Sequence, residues 1–69
     1  MMLGEELRDV RTSSGMTQQG VAAKAGISRE YLSKIENDHA SPTIETFLSI
    51  CKALGVPASK IIARIENGS

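Results

Sequence analysis

Tryptophan is absent from these 69 residues, phenylalanine and tyrosine occur once each, and there is one cysteine, Cys51, and one histidine, His39. A single cysteine cannot form an internal disulfide. One Cys and one His in separate segments assemble neither a structural zinc site nor a nucleophilic triad, so no metal, cofactor or catalytic centre is expected. This thiol usage fits a reducing cytosol. Gly15 and Gly20 have the spacing of the first half of a phosphate-binding loop, but Val21-Ala22 follow where Lys and Ser or Thr are required. No apolar run exceeds three residues, as in Val21-Ala22-Ala23, and the opening Met1-Met2-Leu3-Gly4-Glu5-Glu6 is acidic where an export signal is basic. Neither a membrane span nor a secretory leader is expected, and the chain reads as cytoplasmic. Net charge is missing too, with eight Lys plus Arg against eight Asp plus Glu. Without a global attraction to polyanions, a nucleic-acid partner must be recognised through local placement of charge.

What is present is a 41% hydrophobic content in 7.4 kDa. A chain of this size buries about 60% of its unfolded surface, enough for one core and one domain over residues 1–69. Leu3, Leu7 and Val10 recur at helical spacing among charged residues, which predicts a helix from about Leu3 to Ser13 that stops near Gly15. Thr17 caps a short second helix carrying Val21, Ala22 and Ala25 up to Gly26. Ser28 caps a third, with Tyr31, Leu32 and Ile35 on one side and Glu30 at the positive end of the dipole. It ends near Glu36 or Asn37, before the turn-rich Asn37-Asp38-His39-Ala40-Ser41-Pro42. Thr43 caps a fourth helix with Ile44, Phe47, Leu48, Cys51 and Leu54 as its apolar members, closed by Gly55. Pro57 starts a fifth with Ile61, Ile62 and Ile65, followed by a polar tail, Glu66-Asn67-Gly68-Ser69. No strand or repeat signal is found, so the fold class is all-α.

Residues 18–37 read QQGVAAKAGISREYLSKIEN. Two short helices crossing steeply need a small residue at the contact, which Ala22 supplies, and a turn tolerant of positive φ, which Gly26 supplies. Val21, Ile27, Leu32 and Ile35 pin both helices to the core, leaving the outer face of the third free to enter a groove. Here the sequence resembles the XRE family of helix-turn-helix DNA-binding proteins, with lambda-repressor and Cro-like domains, over about residues 7–65. GMTQQGVAAKAGIS, YLSKIEN and SPTIETFLSICKALGV match its pattern in order. Within the family it looks most like restriction-modification controller proteins, which are dimeric regulators; phage Cro-type repressors and small antitoxins share the architecture. The resemblance implies a five-helix lambda-repressor-like domain with a central helix-turn-helix. Its implied partners are double-stranded DNA, a second copy of the chain and RNA polymerase, with no small-molecule ligand.

Carried onto these residues, the resemblance implies that Gln18 touches the DNA backbone or a base, at a helix N-terminus where a phosphate is favoured. Ser28, Arg29, Glu30, Tyr31, Ser33 and Lys34 form the expected DNA-facing set. A guanidinium at Arg29 can grip a guanine edge with two hydrogen bonds, and Lys34 suits a phosphate. Glu30 either accepts from a cytosine amine or pairs with Lys34 within the helix, and Tyr31 either bonds a phosphate or packs on the core. Asn37, His39 and Ser41 lie around the loop that faces the backbone. Arg11 and Glu36 are expected to pair, since the resemblance places the end of the first helix beside the end of the third. Ile61, Ile62 and Ile65 exceed what one terminal helix needs for its own core, so a dimer contact is expected within residues 44–66. Cys51 is expected to be a small buried hydrophobe.

Three positions depart from the family pattern. Asp38 stands where Gly usually follows the Glu-Asn pair, so the helix end is either strained or differently closed. His39 replaces a common Lys or Arg. Gly20 replaces a charged helix former, which weakens the second helix by about 1 kcal/mol relative to Ala.

Overall fold

The computed structural model describes residues 3–68, in five helices: α1 (Leu3–Ser13), α2 (Gln18–Ala25), α3 (Arg29–Glu36), α4 (Ile44–Leu54) and α5 (Ala58–Gly68). The expected N-caps form. Thr17, Ser28 and Thr43 take extended backbone, and their side-chain oxygens accept from the N–H groups of Gly20, Tyr31 and Thr46 at 3.0, 3.0 and 3.1 Å. Each satisfies one of the four donors that a helix start leaves unpaired.

Four helix ends close in one way. Gly15, Gly26, Asp38 and Gly55 adopt φ of 73°, 75°, 60° and 76°. The N–H of the next residue then returns to the carbonyl five positions back: Met16 to Arg11, Ile27 to Ala22, His39 to Lys34 and Val56 to Cys51. This is the Schellman closure, in which a left-handed residue reverses the chain and satisfies two terminal carbonyls. Asp38 therefore takes the place of glycine within the ordinary closure rather than a different one.

The core comes from the predicted stripes. Leu7, Val10, Val21, Ala22, Leu32, Ile35, Phe47, Cys51, Leu54 and Ile61 are buried together, with Leu3, Ile27, Tyr31 and Ile65 packed around them. Full burial of an aliphatic side chain contributes about 1.5–3 kcal/mol. α2 packs mainly on α4, α3 on α2 and α1, and α5 on α1 and α4. The recognition-helix candidate α3 is thus supported from two sides. Burial also pushes the Cys51 thiol above its ordinary value, which keeps it protonated and makes it a packing group.

The structure corrects three details. Ile50 and Ala53 join the core, while Ile44 and Leu48, named with the apolar members of this helix, are exposed. Phe47, Ile50, Cys51 and Leu54 already make a complete inward stripe at i, i+3, i+4 and i+7, so residues 44 and 48 fall on its flank. α5 also runs on through the expected polar tail to Gly68. Ser69, the last residue of that tail, lies outside the described residues, as do Met1 and Met2. Among the described residues there is no strand, and no single helix is long and apolar enough to cross a membrane.

Candidate nucleic-acid interface

α3 divides its side chains by helical geometry. Leu32, Ile35 and Glu36 turn inward and are buried, while Arg29, Glu30 and Lys34 are exposed, with Tyr31 and Ser33 half-buried. Residues 29 and 33, and 30 and 34, stand one turn apart on the outer face. Among the described residues Arg29, Glu30 and Lys34 have neither an ion pair nor a side-chain hydrogen bond. The intrahelical Glu30–Lys34 pair does not form, so both side chains are available to an outside partner. Tyr31 lays its ring against the core, and Ser28 uses its oxygen as the cap acceptor while its O–H can still donate.

Glu36 is a carboxylate with 2% exposure, a burial tolerated only when the charge is fully paired. Its partners are the expected Arg11 and one more, Gln18. Arg11 Nε donates to Glu36 Oε2 at 2.7 Å, and Nη2 to Oε1 at 3.1 Å, the planar two-bond grip that a guanidinium makes on a carboxylate. Arg11 Nη1 donates to the Met16 carbonyl at 2.9 Å. Gln18 Nε2 then donates to Glu36 Oε1 at 3.0 Å. One acid therefore joins the C-terminal end of α1, the first residue of α2 and the last residue of α3. The expected ion pair is present. Gln18, expected to reach DNA, has one amide N–H committed to Glu36, so it orients α2 and keeps only its second N–H for a phosphate.

The turn after α3 is likewise partly committed. Asn37 Nδ2 donates to the Ser33 carbonyl at 3.0 Å and to Ser33 Oγ at 3.5 Å. His39 and Ser41 are exposed. Asp38 accepts the Gly4 N–H on Oδ1 at 3.2 Å, a contact between α1 and the end of α3 that nothing local in the sequence signals. Gly4 is buried there because the backbones meet. A Cβ on it would overlap the Ile35 carbonyl oxygen and come within 2.6 Å of that of Glu36.

The apolar face expected on α5 is split. Ile61 is 0% exposed and belongs to the chain's own core, so it cannot touch a second subunit. Ala58, Ile61 and Ile65 make the inward stripe, which turns Ile62 outward. Ile62 is exposed, at 46%, as are Ile44 at 69% and Leu48 at 50% on α4. Between α4 and α5 an open apolar groove is lined by Leu3, Pro42, Ile44, Phe47, Ile62 and Ile65. Ile44 and Leu48 stay exposed because the apolar arc on α4 is wider than one core contact needs. Arg64 holds Glu6 at 2.6 Å, tying α5 to α1 beside this face.

The helix-turn-helix family model matches residues 7–61. The immunity repressor protein of Bacillus phage phi105 is 36% identical over 62 residues, which cover 90% of this chain and 43% of that protein. The chain thus spans less than half of that relative's length. Among solved structures, the restriction-modification controller protein C.AhdI from Aeromonas hydrophila superposes with a TM-score of 0.84 at 25% identity, over 87% of this chain and 91% of that one. The biofilm master regulator SinR, solved in complex with DNA, superposes with a TM-score of 0.80 at 27% identity, over 88% of this chain and 98% of that one.

Proposed function

The chain belongs to the helix-turn-helix family, XRE type, and from that premise we propose that it is a sequence-specific DNA-binding transcriptional regulator acting as a homodimer on a near-palindromic site. The observation that carries this reading is the unengaged outer face of α3, with Arg29, Glu30 and Lys34 free of internal partners while a buried three-helix clamp fixes the helix behind them. A rigid helix with uncommitted polar groups is what major-groove recognition requires. Arg29 reads a guanine edge, Glu30 reads an adjacent base, and Lys34 with His39, Ser41 and Ser28 contacts the backbone. Its work is cytoplasmic, close to a promoter, where it either blocks RNA polymerase or presents a surface that recruits it.

The second copy docks on the apolar face of Ile44, Leu48 and Ile62. Reading successive major grooves on one side of the duplex requires the two α3 helices to stand about 34 Å apart, one turn of the double helix. With equal numbers of positive and negative charges overall, non-specific attraction is small, so affinity rests on the base contacts and the second half-site. Arg29→Ala is expected to cost about 1–3 kcal/mol on the selected site and to relax the preference at one base pair. Lys34→Ala is expected to weaken selected and random duplexes alike and to lower the salt slope by about one. Fluorescence anisotropy titrations at several salt concentrations read both effects. An equal loss on selected and random DNA for Arg29→Ala overturns its assignment as a base reader.

A further inference from the structure

Asp38 is the one residue with positive φ, among those described, that is not glycine. Three glycines do the same closing work at the ends of α1, α2 and α4 without side chains. A side chain retained in the left-handed region, where Asp and Asn are the tolerated exceptions, has its own contact to account for it. Oδ1 accepts the N–H of Gly4, in the first turn of α1. That N–H has no carbonyl partner within its own helix, and a carboxylate beside it also meets the positive end of the helix. Gly4 in turn sits against the Ile35 and Glu36 carbonyls, where no other residue fits. The last turn of α3 is therefore held by α1 twice, through Arg11 on Glu36 and through Gly4 on Asp38.

Resting on the DNA-binding reading above, we propose that Asp38 is a latch between the recognition helix and the start of α1, a positioning residue that sets the turn at 37–41 against the DNA backbone. Two consequences follow from the chemistry. The latch draws a carboxylate toward the amide and away from the phosphates that His39 and Ser41 face. It also fixes the direction in which the chain leaves α3, because the residue that carries the side chain is the one that reverses the backbone.

Asp38→Gly and Asp38→Asn separate this role from charge and from folding. Both remove the negative charge, which by itself tightens binding to any phosphate backbone. Gly relieves the backbone but has no acceptor, whereas Asn tolerates positive φ and keeps Oδ1. Hydrogen exchange of the Gly4 amide, followed by NMR without DNA, is expected to remain slow in the wild type and Asp38→Asn and to rise about tenfold in Asp38→Gly, as for an amide that loses its only bond. On the selected duplex, Asp38→Asn is expected to bind at least as tightly as the wild type. Asp38→Gly is expected to bind several-fold more weakly than Asp38→Asn, with an unchanged melting temperature and salt slope. Equal affinities for the two variants overturn the positioning role, and unchanged Gly4 exchange in Asp38→Gly overturns the latch itself. If the wild-type protein selects no DNA at all, the DNA-binding reading and the positioning role fall together, and the exchange result alone then decides whether the latch exists.

Discussion

Arg11→Ala is expected to remove about 3–5 kcal/mol of stability, because it leaves Glu36 as a buried carboxylate with only the Gln18 amide to satisfy it. A chain of this length has roughly 3–10 kcal/mol in total, so the loss brings it close to unfolding. The size of the effect comes from desolvation rather than from attraction across the pair. An exposed pair of the same geometry contributes about 0–1 kcal/mol, since water replaces either partner readily. Here Arg11 is 12% and Glu36 2% exposed, and water cannot take over. The same substitution also frees the Met16 carbonyl and loosens the Gln18 end of α2. Urea unfolding followed by circular dichroism measures the loss. A change below about 1 kcal/mol would mean that the clamp behaves as a surface pair and does not anchor α3.

Ile61→Ala is expected to cost about 2–5 kcal/mol, the range for emptying a fully buried aliphatic site. Its neighbour behaves differently. Ile62→Lys places a charge on the exposed face, and it is expected to halve the sedimenting mass and to remove the dependence of melting temperature on protein concentration. The two residues are adjacent in sequence and 100° apart around the helix, so the contrast separates core from subunit contact. Urea unfolding and analytical sedimentation at tens of micromolar read the pair. If Ile61→Ala changes the mass and leaves the stability intact, or Ile62→Lys does neither, the assignment of the two faces is wrong.

Local chemistry was legible in the sequence and tertiary contact was not. Thr17, Ser28 and Thr43 each announce a helix start with a side chain that reaches only three residues ahead, and the structure has all three. Gly15, Gly26 and Gly55 announce helix ends for the same reason. The Arg11–Glu36 pair, 25 residues apart, came through the family resemblance rather than from any local pattern. The Gln18 bond to Glu36 was missed because an amide at a helix start has the same local signature whether it faces a phosphate or a buried carboxylate. Nothing in the sequence singles out Gly4, since its role depends on where the end of α3 arrives. On α4 the expected apolar set omitted Ile50, and on α4 and α5 alike periodicity alone does not say which of two adjacent apolar stripes meets the core. Packing assigned Ile50 and Ile61 inward and left Ile44, Leu48 and Ile62 outward.

Whether two copies of this chain read one symmetric DNA site is decided by selection from a random duplex pool at roughly 0.1 M salt, where phosphate contacts still hold. The expected result is enrichment of a near-palindrome whose half-sites lie about one helical turn apart, centre to centre. Folded protein that enriches no sequence, and that instead keeps a co-expressed protein partner through high salt, would contradict it.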